Sequence, residues 1–83
     1  MGPRLNTNQR EALVEIHLLG PILISDLAFN LVRTQSATRS AVKRLAARGL
    51  VDHTEVTYSA RGLAWFTTDA GDAAALEIDK AGS

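Results

Sequence analysis

The sequence predicts a small, mostly helical α+β domain, in which three helices are followed by a β-hairpin and a short C-terminal helix. Apolar residues recur at helical spacing up to residue 48, and β-prone residues replace that pattern after Gly49. The 83 residues are 46% hydrophobic and 22% charged, which is typical of a globular domain. Cysteine is absent, so no disulfide can stabilise so short a chain, and locally packed helices are the least costly core.

The first helix is predicted to begin near Asn8 and to end at Gly20-Pro21. Asn8 and Glu11 have the three-residue spacing of a capping box, and apolar residues then recur at positions 12, 13, 16 and 19. Glycine followed by proline ends a helix. Residues 22–24 are apolar and β-prone, which predicts a brief strand or an extended link.

Two further helices are predicted on either side of a break near residues 32–33. Ser25 is the candidate N-cap of the first, and Asp26 stands in its first turn, where the helix dipole favours negative charge. Thr34 is the candidate N-cap of the second, which runs from Gln35 to Arg48 and ends at Gly49. The second helix has an apolar face at positions 38, 41, 42 and 45, so its opposite face should be exposed. Two helices joined by so tight a break form a helix-turn-helix.

Residues 50–58 and 63–67 are β-prone and flank a turn-like segment, which predicts a hairpin. Trp65 and Phe66 are adjacent on its second strand, so they face opposite ways and one of them should be in the core. A last helix is predicted from Thr68-Asp69. We expect the domain to cover residues 5–78, with flexible termini at 1–4 and 79–83.

The formal net charge of zero conceals a basic middle segment. Residues 33–61 contain six basic and two acidic side chains, whereas residues 1–32 and 62–83 are both net acidic. A local excess of arginine and lysine on a helix indicates a surface for a polyanion such as nucleic acid.

The exposed face of the helix 35–48 has side chains that suit contact with duplex DNA. Arginine can bind guanine through two acceptors, glutamine can bind adenine, and serine adapts to either base, while lysine and arginine also bind phosphates. A helix of this length fits a major groove about 12 Å wide. The residues predicted to face bases are Gln35, Ser36, Arg39 and Ser40, and those predicted to contact phosphates are Lys43 and Arg44.

Residues 24–28 (ISDLA), 34–39 (TQSATR) and 44–51 (RLAARGLV) resemble the winged helix-turn-helix of MarR-like bacterial and phage regulators. Residues 68–71 are similar to that family's threonine–x–x–glycine after the wing, and the resemblance covers about residues 5–76. It implies sequence-specific duplex DNA binding by a transcriptional regulator or a phage-type DNA-architecture factor. The helix 35–48 would lie in the major groove, and the wing near Arg61 would contact the DNA backbone or minor groove.

The same resemblance implies a difference in assembly. Full-length family members dimerise through long terminal helices, so we do not expect that dimer to be intact in this chain. The expected partner is duplex DNA. The sequence leaves open whether the chain also forms another homodimer or binds a protein partner.

A protein-interaction module is the alternative function, using the hairpin around Trp65 and Phe66 or the acidic C-terminal helix; the basic helix face would then be an ordinary solvated surface. His17 and His53 are isolated in the sequence, so no metal site is predicted. Neither a nucleophile–base set nor a glycine-rich phosphate loop is visible, so we expect no enzyme activity and no cofactor. The short apolar runs and the absence of a signal-peptide pattern predict a cytoplasmic protein without a membrane partner.

Overall fold

A computed structural model of the chain describes residues 4–56 and 62–82. The described elements confirm the predicted α+β fold. In chain order they are α1 (Thr7–Leu19), β1 (Ile22–Leu23), α2 (Ile24–Leu31), α3 (Gln35–Ala47), β2 (Val51–Val56), β3 (Gly62–Thr67) and α4 (Asp69–Gly82). None of these described helices is long and apolar enough to cross a membrane.

The three strands form one antiparallel sheet in the order β1-β3-β2. β2 and β3 form the predicted hairpin, which begins with Val51 opposite Thr67. Ile22 of β1 pairs with Trp65 on the other edge of β3, so the chain between α1 and α2 is tied to the base of the hairpin.

The core lies where α1 and α3 cross, with α2, α4 and the sheet packed around them. Leu13 and Ile16 of α1 and Leu27 of α2 are fully buried there. Val42 and Leu45 of α3 are also fully buried, which confirms the predicted apolar face of this helix.

Two of the predicted helix starts are wrong. The capping box of α1 is formed by Asn6 and Gln9, whose side chains each accept from the other's backbone N–H, so the N-cap lies two residues before the predicted Asn8 and α1 begins at Thr7. Ser25 lies inside α2 and does not cap it; Leu23 holds the N-cap position without a side-chain hydrogen bond. Pairing of β1 with β3 fixes Leu23 in extended backbone, so α2 has to start directly after the strand.

The start of α3 is as predicted, because the Thr34 hydroxyl accepts a hydrogen bond from the backbone N–H of Ala37 at 3.1 Å. Its end is also close to the prediction: the last helical residue is Ala47, and Gly49 follows with φ of 76°. That left-handed conformation favours glycine.

α4 is anchored beside the end of α3. The Thr68 hydroxyl donates to the Gly49 carbonyl at 2.7 Å and accepts from the Gly71 N–H at 3.1 Å. Gly71 has no room for a side chain, because a Cβ there would lie 1.9 Å from the Leu50 carbonyl oxygen. α4 continues to Gly82, so residues 79–82 are helical where a flexible terminus was predicted; the domain limits 5–78 stay a prediction.

Candidate nucleic-acid interface

α3 presents one buried face and one exposed face. The buried side consists of Thr38, Ala41, Val42 and Leu45. All six side chains of α3 that the sequence predicts for DNA contact are exposed: Gln35, Ser36, Arg39, Ser40, Lys43 and Arg44. Helical geometry thus separates the two sets as predicted, and the exposed set is accessible to a ligand along the whole helix.

The structure divides the exposed set into two stripes of four-residue spacing. Gln35, Arg39 and Lys43 form one stripe, and all three line a cleft between α3 and the hairpin. The second stripe consists of Ser36, Ser40 and Arg44, which do not line this cleft. Residues four apart are neighbours on a helix, so each stripe is a continuous strip of surface.

The cleft has a volume of about 400 Å³, and apolar side chains form part of its lining. Leu23 and Ile24, at the β1–α2 junction, form part of its lining, and Leu63 and Trp65 of β3 contribute from the hairpin. Sequence reasoning missed this cleft, because it depends on the pairing of the two-residue strand β1 with β3. The β-prone residues 22–24 were the available signal.

The cations of α3 are available for an anion. Arg39, Lys43 and Arg44 are exposed and make no ion pair with any other residue that the structure describes. Arg33, in the α2–α3 turn, is instead paired with Glu11 of α1. Arg61, the predicted wing contact, lies outside the described residues.

The aromatic pair of the hairpin is not an exposed surface. Trp65 is 8% exposed and packs against His53 on the neighbouring strand, with the ring centroids 4.9 Å apart. Phe66 is half-buried on the opposite face of β3. As the sequence predicts, one member of the pair belongs to the core.

The acidic helix α4 has a contact that the sequence did not reveal. One carboxylate oxygen of Asp72 accepts from the Thr67 hydroxyl at 2.5 Å and lies 2.8 Å from Nδ1 of His17. Because a carboxylate can only accept, this imidazole nitrogen carries the proton. The hydrogen bond from Thr67, followed by the one from His17, lowers the pKa of Asp72 below its ordinary value. Within the described part of the chain, no three histidine or carboxylate side chains are grouped to hold a metal ion.

A family model described as MarR family matches residues 5–61, which is more than half of the chain. The chain belongs to the MarR family. No curated protein matches the sequence. The family match ends within the hairpin, so it includes α3 and the whole helix-turn-helix.

Solved MarR-type structures share the fold of this chain. The transcriptional regulator SlyA superposes with a TM-score of 0.86 at 19% sequence identity, over 94% of this chain and 55% of that one. The adhesin competence repressor AdcR from Streptococcus pyogenes gives 0.87 at 24% identity, over 95% and 57%. ZitR from Lactococcus lactis, as its E41A mutant, gives 0.86 at 20% identity, over 96% and 54%. This MarR-family chain therefore spans little more than half the length of these structures.

Proposed function

We propose that this chain binds duplex DNA sequence-specifically and regulates transcription, with the exposed face of α3 in the major groove. The observation that carries the proposal is the row of exposed cations on the second helix of a MarR-type helix-turn-helix, which form no ion pair with the residues that the structure describes. Opposite charges three or four residues apart would stabilise a surface helix, but α3 contains no acidic residue to pair with its cations. Family membership and the repressor and regulator names of the solved relatives support the same function.

The dimensions of α3 suit the major groove. Its 13 residues give a length of about 20 Å at roughly 1.5 Å per residue. The groove is about 12 Å wide and admits one α-helix, and each base pair presents a distinct pattern of donors and acceptors there.

The position of each side chain along α3 suggests its role. Gln35, Ser36, Arg39 and Ser40 lie in the N-terminal half and are proposed to face base edges, with Arg39 the main reader of guanine. Lys43 and Arg44 lie in the C-terminal half and are proposed to bind phosphates on the groove wall. Arg61 is proposed to bind a further phosphate from the wing.

Fluorescence anisotropy with short duplexes at low salt tests the proposal. The double variant Lys43→Glu/Arg44→Glu should abolish binding while its melting temperature stays near that of the unmodified chain. The control Arg10→Glu/Lys80→Glu makes the same change in net charge at exposed cations of α1 and α4, and should bind almost normally. Equal losses in the two variants would show that only net charge matters and would contradict the proposed interface.

The salt dependence counts the phosphate contacts. Lys43, Arg44 and Arg61 make three contacts, so the slope of log affinity against log salt should lie between about −2 and −3, at roughly −0.9 per phosphate. A flat salt response would exclude DNA binding by these cations.

Base reading is tested on a site selected from random duplexes. Arg39→Ala should weaken that site by about 1–3 kcal/mol and relax the preference at one position. If binding weakens equally on every sequence, Arg39 is a phosphate contact and another residue reads the bases.

A further inference from the structure

Two apolar side chains protrude at the α2–α3 turn. Phe29 is 83% exposed and Val32 is 89% exposed, the highest values among large hydrophobic residues in the described ranges. The two are three residues apart and are joined by a backbone hydrogen bond, from the Val32 N–H to the Phe29 carbonyl at 3.2 Å. We refer to this pair as the apolar knob.

The apolar knob is costly in two ways. Val32 has φ of 56°, which is a left-handed conformation that a β-branched side chain rarely adopts. Its side chain also gains nothing from burial, since it stands in solvent. A glycine would remove both costs, and a residue kept in a strained conformation on the surface is a reason to look for a binding role.

A free carboxylate accompanies the knob. Asp26 is exposed on α2, three residues before Phe29, and residues at this spacing share one face of a helix. It makes no ion pair with any other described residue. The surface is therefore convex and apolar, with a negative charge at one side.

The cleft between α3 and the hairpin has the complementary features. Its volume of about 400 Å³ lies in the range of about 300–1,000 Å³ that holds ring-sized ligands. Its lining includes the apolar side chains of Leu23, Ile24, Leu63 and Trp65, and also Arg39 and Lys43, which lack ion-pair partners in the described part of the chain. An apolar lining with two cations matches an apolar knob beside a carboxylate.

We propose that the apolar knob of one copy of this chain docks into the cleft of a second copy, with Asp26 of the first copy facing Arg39 and Lys43 of the second. Because the knob and the cleft are different surfaces, the contact is head-to-tail, and each copy keeps one knob or one cleft free for another. The contact itself does not depend on DNA binding.

If the chain binds DNA through α3 as proposed, the contact between copies would affect that binding. Arg39 and Lys43 would face the neighbour's Asp26 and not the DNA, so one cleft cannot hold a knob and present its cations to the groove at the same time. Self-association and DNA binding should then compete for this stripe of α3.

Sedimentation velocity of the full chain without DNA, over a range of concentrations at low salt, tests the contact. The mean mass should rise with concentration, and Phe29→Ser should raise the dissociation constant about tenfold or more, because a buried phenyl ring is lost from the contact. Leu18→Ser, at a 69% exposed residue of α1, is the matched control and should not change it. A chain that stays monomeric up to about 1 mM, or equal effects of the two variants, would overturn the proposal.

A charge exchange identifies the two surfaces. Asp26→Lys alone and Lys43→Glu alone should each associate more weakly than the unmodified chain. An equimolar mixture should recover association, because the unmodified knob of the Lys43→Glu variant then meets the unmodified cleft of the Asp26→Lys variant, and the two altered surfaces carry opposite charges. Failure of the mixture to recover would overturn the pairing of these surfaces. Since DNA is absent throughout, a chain that binds DNA but fails these tests refutes the self-association alone.

Discussion

The chain adopts a left-handed backbone conformation just before α3 and again just after it. The first is at Val32, with φ of 56°, and the second is at Gly49, with φ of 76°. Glycine accepts this conformation without steric cost, whereas an L-residue with a side chain is disfavoured by about 1–2 kcal/mol. The two turns that frame the proposed reading helix are thus unequal in strain.

They also differ in what surrounds them. After Gly49, the Thr68 hydroxyl binds the Gly49 carbonyl, and the Thr68 N–H donates to the Leu50 carbonyl at 3.1 Å. Around Val32, the Arg33 N–H closes the turn on the Ala28 carbonyl at 3.0 Å, but the Val32 side chain stands in solvent. The C-terminal junction therefore fixes the hairpin and α4 to α3, whereas the N-terminal turn presents surface.

Of the two turns, the C-terminal junction has the larger expected effect. Gly71→Ala would place a Cβ 1.9 Å from the Leu50 carbonyl oxygen, and this neighbour is backbone that cannot rotate away. We expect a loss of about 3 kcal/mol or more in the free energy of unfolding, at the upper end of overpacking costs. Urea unfolding followed by circular dichroism measures it. Ala70→Gly, at the exposed position before it, is the control for helix propensity and should cost only about 1 kcal/mol. A Gly71→Ala loss no larger than the control's would show that the close approach does not constrain the fold.

This junction also shows how far the sequence predicts the fold. Gly49 was readable as the end of α3 and Thr68-Asp69 as the start of α4, because these signals act on nearby backbone. The close approach of Gly71 to Leu50 was not, since it joins residues far apart in the chain. The N-caps at Asn6 and Leu23 were missed for related reasons: two overlapping capping patterns compete at α1, and strand pairing sets the start of α2.

The candidate site was predictable to the same extent. The exposed face of α3 follows from its own 3.6-residue period, so its six side chains were identified from sequence. The cleft beside Arg39 requires the β1–β3 pairing, and the His17–Asp72 contact joins residues 55 apart on two helices. The β-prone residues 22–24 indicate β1 but not its partner, and the His17–Asp72 contact produces no local pattern.

The next prediction concerns the backbone strain at the two turns, where Gly49 is replaced by alanine and Val32 by glycine. Gly49→Ala meets no atom within 4 Å, so its cost is the left-handed backbone alone, about 1–2 kcal/mol. Val32→Gly should do the reverse and raise the free energy of unfolding by up to about 1 kcal/mol, since the flexibility of glycine in the unfolded chain offsets part of the relief. Both values come from the same urea unfolding series. If Val32→Gly destabilised the chain, the valine side chain would be contributing to the fold and the turn would not be strained.

A substitution on the buried face of α3 gives a core reference for these changes in the free energy of unfolding. Leu45 is fully buried, and Leu45→Ala should cost on the order of 2–5 kcal/mol by the same measurement. Ala47→Gly, at the exposed last residue of the same helix, should cost less than the roughly 1 kcal/mol of a helix interior. A Leu45→Ala loss below about half a kcal/mol would mean that the buried and exposed faces of α3 are assigned wrongly.

The smallest expected effect is the pH dependence of the α1–β3–α4 contact at Asp72. Its pKa is lower in the folded chain than in the unfolded chain, because the Thr67 hydroxyl and then the His17 imidazole hydrogen-bond to the charged carboxylate. A carboxyl group of this kind contributes stability above its unfolded pKa, and this contribution is lost as the pH falls through the folded pKa.

Thr67→Val removes the larger cause of the shift, so the pKa of Asp72 should rise towards its ordinary value in a carboxyl-carbon NMR titration. The difference in melting temperature between the unmodified chain and Thr67→Val should be present at about pH 5, above the unfolded pKa of an aspartate, and shrink as the pH falls through the folded pKa of Asp72. A difference that does not change as the pH falls would show that Thr67 acts through packing and not through the charge of Asp72.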